Sequence, residues 1–208
     1  MKKYIQKDKV IIEDFDELQI YEEDFEKKRR NFDEKVHGSM TEEMKRNIKT
    51  VQKAKISANK EEVFKAFVEL AAKDINSNLT SEDIVEDNFY ITSKKMKKLP
   101  IKVSQYIKNE VIEIEWFAEN HYFLRTVYFY GVNGKTKIKM VDNAKGMEAV
   151  FGVSSQYIKN MYVKSIKKSF KIQIIQIKLS IFDQTQINTL KLNKKMQKLQ
   201  NNQKFKRK

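Results

Sequence analysis

Few side chains in this 208-residue chain are of the kinds that bind metals or make and break bonds. The two histidines, His37 and His121, lie far apart in the sequence, and there is no cysteine. Two isolated imidazoles without a thiolate give no zinc site of the common kinds, and the same count excludes a disulfide framework and a thiol nucleophile. No metal and no cofactor are expected. Glu113 and Glu115 are two residues apart, which in a strand puts both carboxylates on one face and could serve acid–base chemistry. A solvated strand face explains the pair more simply, and His121, two residues beyond Glu119, reads as a surface residue. Glycine-rich phosphate loops and the GxSxG elbow are absent. No catalytic residue is assigned.

The charge is more informative. Lys and Arg total 42 against 28 Asp and Glu, a net of +14. It is spread unevenly: residues 1–40 carry −2, residues 41–150 carry +3 and residues 151–208 carry +13. A face of this kind attracts polyanions: nucleic acid, an anionic membrane surface or an acidic protein. The basic-face candidates are Lys164, Lys167, Lys168, Lys171 and Lys178. Against this, only 5 of the basic residues are Arg, and Lys lacks the fork that favours specific phosphate and base contacts. A merely solvated face stays open as the alternative.

These side chains need elements to hold them. The length suits one domain with extensions, and 40% hydrophobic residues suffice for a core. No apolar run is long enough to cross a membrane, and the first residues lack the apolar core of a signal peptide, so a cytoplasmic protein is expected. Phe15, Leu18, Tyr21, Phe25, Phe32 and Val36 have helical spacing, stopped by His37-Gly38. Alternation of Ile48, Ala54 and Ile56 reads as a strand over 46–58. Asn59-Lys60-Glu61-Glu62 then resembles a capping box, opening a helix that buries Val63, Phe64, Phe67, Val68, Leu70, Ala71 and Ile75.

Strands follow over 89–96, 101–107, 111–117, 122–132 and 135–142. They are separated by Pro100, by Lys108-Asn109 and by Asn133-Gly134, a strong signal for a type I′ hairpin. Tight turns between sequential strands make the sheet antiparallel. In 122–130 both strand faces are apolar, so the spacing does not say which face points inward.

A last helix is expected over 154–182, with Ser154 or Ser155 at its N-cap. Its apolar stripe is Ile158, Tyr162, Ile166, Phe170, Ile174, Ile177 and Ile181, and such a stripe must lie on something. Residues 175–181 alternate strictly and could instead be a strand; the continuous ladder from Ile158 favours helix. The remaining tail is basic and polar, helical in part.

This order of strand, capped helix, antiparallel meander and long closing helix resembles the helix-grip superfamily. That group includes the START-like, birch-pollen-allergen-like and polyketide cyclase-like proteins. The segment from Lys55-Ile56-Ser57-Ala58-Asn59-Lys60 to Phe67 is similar to its opening strand-to-helix signature. Arg125-Thr126-Val127-Tyr128-Phe129, with Asn133-Gly134-Lys135-Thr136-Lys137-Ile138, is similar to its late hairpin. With its Lys-rich closing helix, the order resembles uncharacterised small START-like proteins of Gram-positive bacteria. That superfamily usually has six strands after the first helices, where five are read here.

The resemblance implies an α+β fold, an antiparallel sheet wrapped around a long C-terminal helix, with an extra N-terminal helix and a basic C-terminal tail. It divides the chain into an extension at 1–45, a helix-grip domain at 46–182 and a tail at 183–208. It further implies a non-catalytic binding or regulatory domain, whose cavity between sheet and helix takes a lipid or another hydrophobic small molecule. Candidate lining residues are Trp116, Phe117, Tyr128, Phe129, Tyr162 and Phe170, for which plain core packing is the competing explanation. The polyanion surface is the alternative function.

Overall fold

The computed structural model describes residues 10–36, 47–93, 99–118, 121–146, 155–182 and 186–204. In chain order the elements are α1 (Phe15–Val36), β1 (Ile48–Ile56), α2 (Lys60–Ile75), β2 (Asn88–Ile91), β3 (Pro100–Ile107), β4 (Val111–Ala118), β5 (His121–Val132), β6 (Lys135–Lys145), α3 (Ser155–Ile181) and α4 (Gln186–Lys204). The strands form one antiparallel sheet in the order β1-β6-β5-β4-β3-β2.

Local chemistry sets the boundaries. Asn59 caps α2, its side-chain oxygen accepting from the Glu62 amide at 2.8 Å. Asn133 and Gly134 take φ of 50° and 67°, the left-handed values that a type I′ hairpin needs. That turn sets the register outward from Val132 opposite Lys135. Asn109 makes the same kind of reversal between β3 and β4, with φ of 66°.

Three strands differ by more than one residue in length from the sequence expectation, β1 being confined to Ile48–Ile56 within the expected 46–58. β2 ends at Ile91, where the Asn76 side chain binds the Ile91 carbonyl and Ser93 donates its amide to Ile75 at the end of α2. β6 runs three residues further than expected, because Asn143–Lys145 are paired across β5, and Asn143 and Ala144 across β1 as well. Polar and small residues read as a loop until partners flank them.

A register shift in β3 between Val103 and Gln105 inserts one residue opposite β4. It allows Val103 and Tyr106 both to face the same side of the sheet, where the main core lies. There Ile56, Ile112, Val127, Phe129, Ile138 and Met140 from the strands meet Val63, Phe64, Phe67 and Val68 of α2 and Ile166, Phe170, Ile174 and Ile177 of α3. α3 is helical throughout Ser155–Ile181, so the strictly alternating stretch at its end is not a strand.

The other face of the sheet is covered by α1. Phe25, 2% exposed, packs with Phe89, Ile91 and Tyr122, and partly with Phe117. Ahead of α1, Ile12 donates to Phe89 and Val10 accepts from Ile91, so this segment shields the free edge of β2. The chain is an α+β helix-grip fold: an antiparallel sheet curved over a long closing helix, with α1 as an additional layer. Among the described residues no helix is long and apolar enough to cross a membrane. The stop at His37-Gly38, residues 94–96 of the strand expected over 89–96, and Ser154, one of the two N-cap candidates, lie outside the described residues.

Candidate ligand cavity

Between α2, α3 and the inner sheet face lies a cavity of about 180 Å³. Phe67, Ala71 and Ile75 recur every four residues and put one stripe of α2 on it. Ile112, Ile114 and Trp116 do the same for β4 at the strand period of two. Ala71 is the small member of the helix stripe. Polar side chains reach the walls at four places: Asp74, Thr92, Arg125 and Gln173.

Arg125 is the organised one. It stands directly opposite Asp142 across the β5–β6 ladder. Its Nε and Nη2 donate to the same Asp142 oxygen at 2.7 and 2.6 Å. The other Asp142 oxygen accepts from the Tyr162 hydroxyl on α3. Asp142 is 1% exposed, so its charge is sustained by these two donors. Burial raises the Tyr162 pKa, and the Asp142 carboxylate and its hydrogen bond raise it further, so the phenol stays a proton donor. Trp116 lies beside the guanidinium, 5.7 Å from its ring centroid to Cζ, and stacks on Phe123. The pair with Asp142 leaves Nη1 without a hydrogen-bond partner among the described residues, on a side chain that borders the cavity.

The residues expected to line a cavity are distributed over both faces of the sheet. Trp116 lines it. Phe117 does not: it lies on the outer face with its ring centroid 5.0 Å from that of Phe25. Tyr128 is also on the outer face, stacked with Tyr130 and overlain by Lys139. Neighbours in a strand point to opposite faces, so 116 with 117 and 128 with 129 were incompatible pairs. Phe129 points inward but is held edge-on between Phe64 and Phe67 as core. Phe170 is buried core on α3, and Tyr162 serves Asp142. Arg125 and Asp142 were missed as a site. A signal existed, because counting outward from the 133–134 turn places them opposite one another.

Glu113 and Glu115 share a face as expected, but that face is not solvated. α1 lies over it. Glu115, 3% exposed, accepts from Arg29 at 2.6 Å and from the Tyr122 hydroxyl. Glu113 accepts from Ser104 and Thr126. Burial raises the Tyr122 pKa, with Glu115 adding to it. Burial would lower the Arg29 pKa, but Glu115, Tyr122 and Glu26 together outweigh this and leave it raised. Lys102 bridges Glu22 and Asp87. The Arg29–Glu115 and Lys102–Glu22 pairs dock α1 on the sheet, while Glu113 ties β4 to β3 and β5. His121 sits at the start of β5 with Nδ1 3.3 Å from the Ala118 carbonyl; His37 lies outside the described residues. Among the described residues no three His, Asp or Glu side chains are grouped to hold a metal ion. On α3, Lys164, Lys167 and Lys171 are exposed and Lys168 and Lys178 half-buried.

No family model matches the sequence. No curated protein sequence matches it either. Among solved structures the chain is similar to the Aha1 dimer from Colwellia psychrerythraea, at 12% identity and TM-score 0.45, over 63% of this chain and 93% of that one. It is similar to Ara h 8.0201, at 9% identity and TM-score 0.45, over 63% and 94%. It is also similar to the di-domain ARO/CYC StfQ from the steffimycin biosynthetic pathway, at 7% identity and TM-score 0.49, over 66% and 51%. At such identities and TM-scores a likeness says nothing about ligand or activity.

Proposed function

We propose that this chain is a non-catalytic binding domain for a small hydrophobic molecule that carries a hydrogen-bond acceptor. The observation that carries the reading is Arg125, whose Nη1 has no hydrogen-bond partner among the described residues, on the wall of an otherwise mainly apolar cavity. The apolar body of the ligand lies against Phe67, Ile112, Ile114 and Trp116, and its acceptor meets Nη1. Asp142 is satisfied by Arg125 and Tyr162, which holds Arg125 as a fixed anchor rather than a proton-transfer group.

The volume limits the ligand. A dry apolar void of about 150 Å³ accepts benzene, so 180 Å³ suits one ring with a short substituent. A full acyl chain would require α2 or α3 to move away from the sheet. In this reading residues 46–182 form the binding domain, residues 1–45 brace the sheet through α1, and residues 183–208 extend the basic surface.

Thermal melting tests the reading. Acetophenone, with one ring and one carbonyl, is expected to raise the melting temperature saturably and more than ethylbenzene, which lacks the acceptor. At about a hundredfold excess over its dissociation constant the gain approaches about 2.7 kcal/mol. Ala71→Phe, with Ala71→Leu as a milder filler, is expected to remove the response. No response to either compound, or an equal response in the filled variants, would overturn it.

A further inference from the structure

The α3–α4 layer is unlike the rest of the surface. α3 contains six lysines and α4 five, and neither helix contains an acidic residue. No lysine of either helix forms an ion pair among the described residues, whereas Lys28, Lys60, Lys73 and Lys102 of other elements do. The positive charge is therefore uncompensated within the described fold.

Its placement is ordered. Lys164, Lys167, Lys171 and Lys178 recur at helical spacing along one side of α3, away from the stripe that Ile166, Phe170 and Ile177 lay on the sheet. On α4 the half-buried residues include Leu192, Met196 and Leu199, while Lys191, Lys194, Lys195 and Lys198 are all exposed on the opposite side. Leu192, Met196 and Leu199 are turned to the protein and the lysines to solvent, with Leu190 the one large apolar residue of the helix exposed among the described residues. A helix that enters a bilayer interface needs the reverse, with apolar groups turned outward.

We propose that this two-helix layer binds the phosphate backbone of a nucleic-acid duplex without reading its sequence. Lys164 to Lys178 span about 21 Å at 1.5 Å per residue. Duplex DNA presents one charge per about 1.7 Å of axis, so the row runs along a length of duplex that carries about a dozen phosphates on its two strands. Lys in place of Arg supplies point charges without the fork that reads base edges. α1 carries a net of −3 and covers the opposite face of the sheet, which orients the molecule with α3 and α4 toward the polyanion. This surface is separate from the cavity, and either assignment stands without the other.

Binding of the full chain to a mixed-sequence 20-base-pair DNA, and to the same sequence as RNA, tests it by fluorescence anisotropy over a salt series. Eight lysine contacts give a slope of about −7 for log affinity against log salt. This is about four orders of magnitude between 50 and 200 mM. Lys191, Lys194, Lys195 and Lys198 changed together to Gln are expected to halve the slope. The melting temperature should stay within a few degrees, since none of these residues has an ion-pair partner among the described residues. No duplex binding at 50 mM salt, or a slope unchanged by the substitutions, would overturn the proposal. So would binding to phosphatidylserine vesicles without binding to either duplex.

Discussion

Asp142 is the residue on which the inner site is most exposed to change. Its carboxylate has almost no access to water and is satisfied by Arg125 and Tyr162. Arg125→Gln leaves a buried charge with one donor, and removing one partner of such a pair costs about 3 kcal/mol. Urea denaturation should find that loss; less than about 1 kcal/mol would mean that water or another group already neutralises Asp142. Tyr162 adds a pH dependence. Its pKa is raised in the folded state by burial and by Asp142. Below about pH 10 the phenol is protonated whether the chain is folded or not. Above that, the unfolded chain ionises first, unfolding releases a proton, and stability falls as pH rises through the folded pKa. Tyr162→Phe should cost about 2 kcal/mol near neutrality, from the lost hydrogen bond to a charged acceptor. The gap from the parent should narrow above about pH 10. A gap that stays constant to pH 11 would contradict the assignment.

At the scale of elements, α1 is an integral layer of the sheet, with Phe25 as its main anchor. Phe25→Ala should open a void under α1 and cost about 3 kcal/mol. Amides of β2 and β4 should then exchange faster while those of α3 keep their protection. Unchanged exchange in β2 would show that α1 contributes little to the sheet.

The elements themselves were largely legible. Turns such as Asn133-Gly134 and the cap at Asn59 act through backbone conformations that few residues adopt, so they can be read locally. The burial of Glu115 was not legible, because alternation gives the faces of a strand but not what covers each face. Here an amphipathic helix 86 positions earlier provides Arg29. The same limit applied to Phe117 and Tyr128: an aromatic residue signals burial, and only the opposing helix decides on which side. Arg125 opposite Asp142 was within reach, since hairpin register is arithmetic once the turn is known.

At the scale of the molecule, the sheet separates two chemistries. Its outer face and α1 hold an acidic, ion-paired layer. Its inner face holds the apolar core, the cavity and, beyond them, the basic helices. The chain contains a single tryptophan, Trp116, and it lines the cavity beside Arg125. Its fluorescence therefore reports directly on occupancy. The decisive measurement is a titration of Trp116 emission with acetophenone, run in parallel on Ala71→Phe. A saturable change in the parent that is absent from the filled variant is expected; a linear change of equal slope in both would contradict a ligand cavity beneath α3.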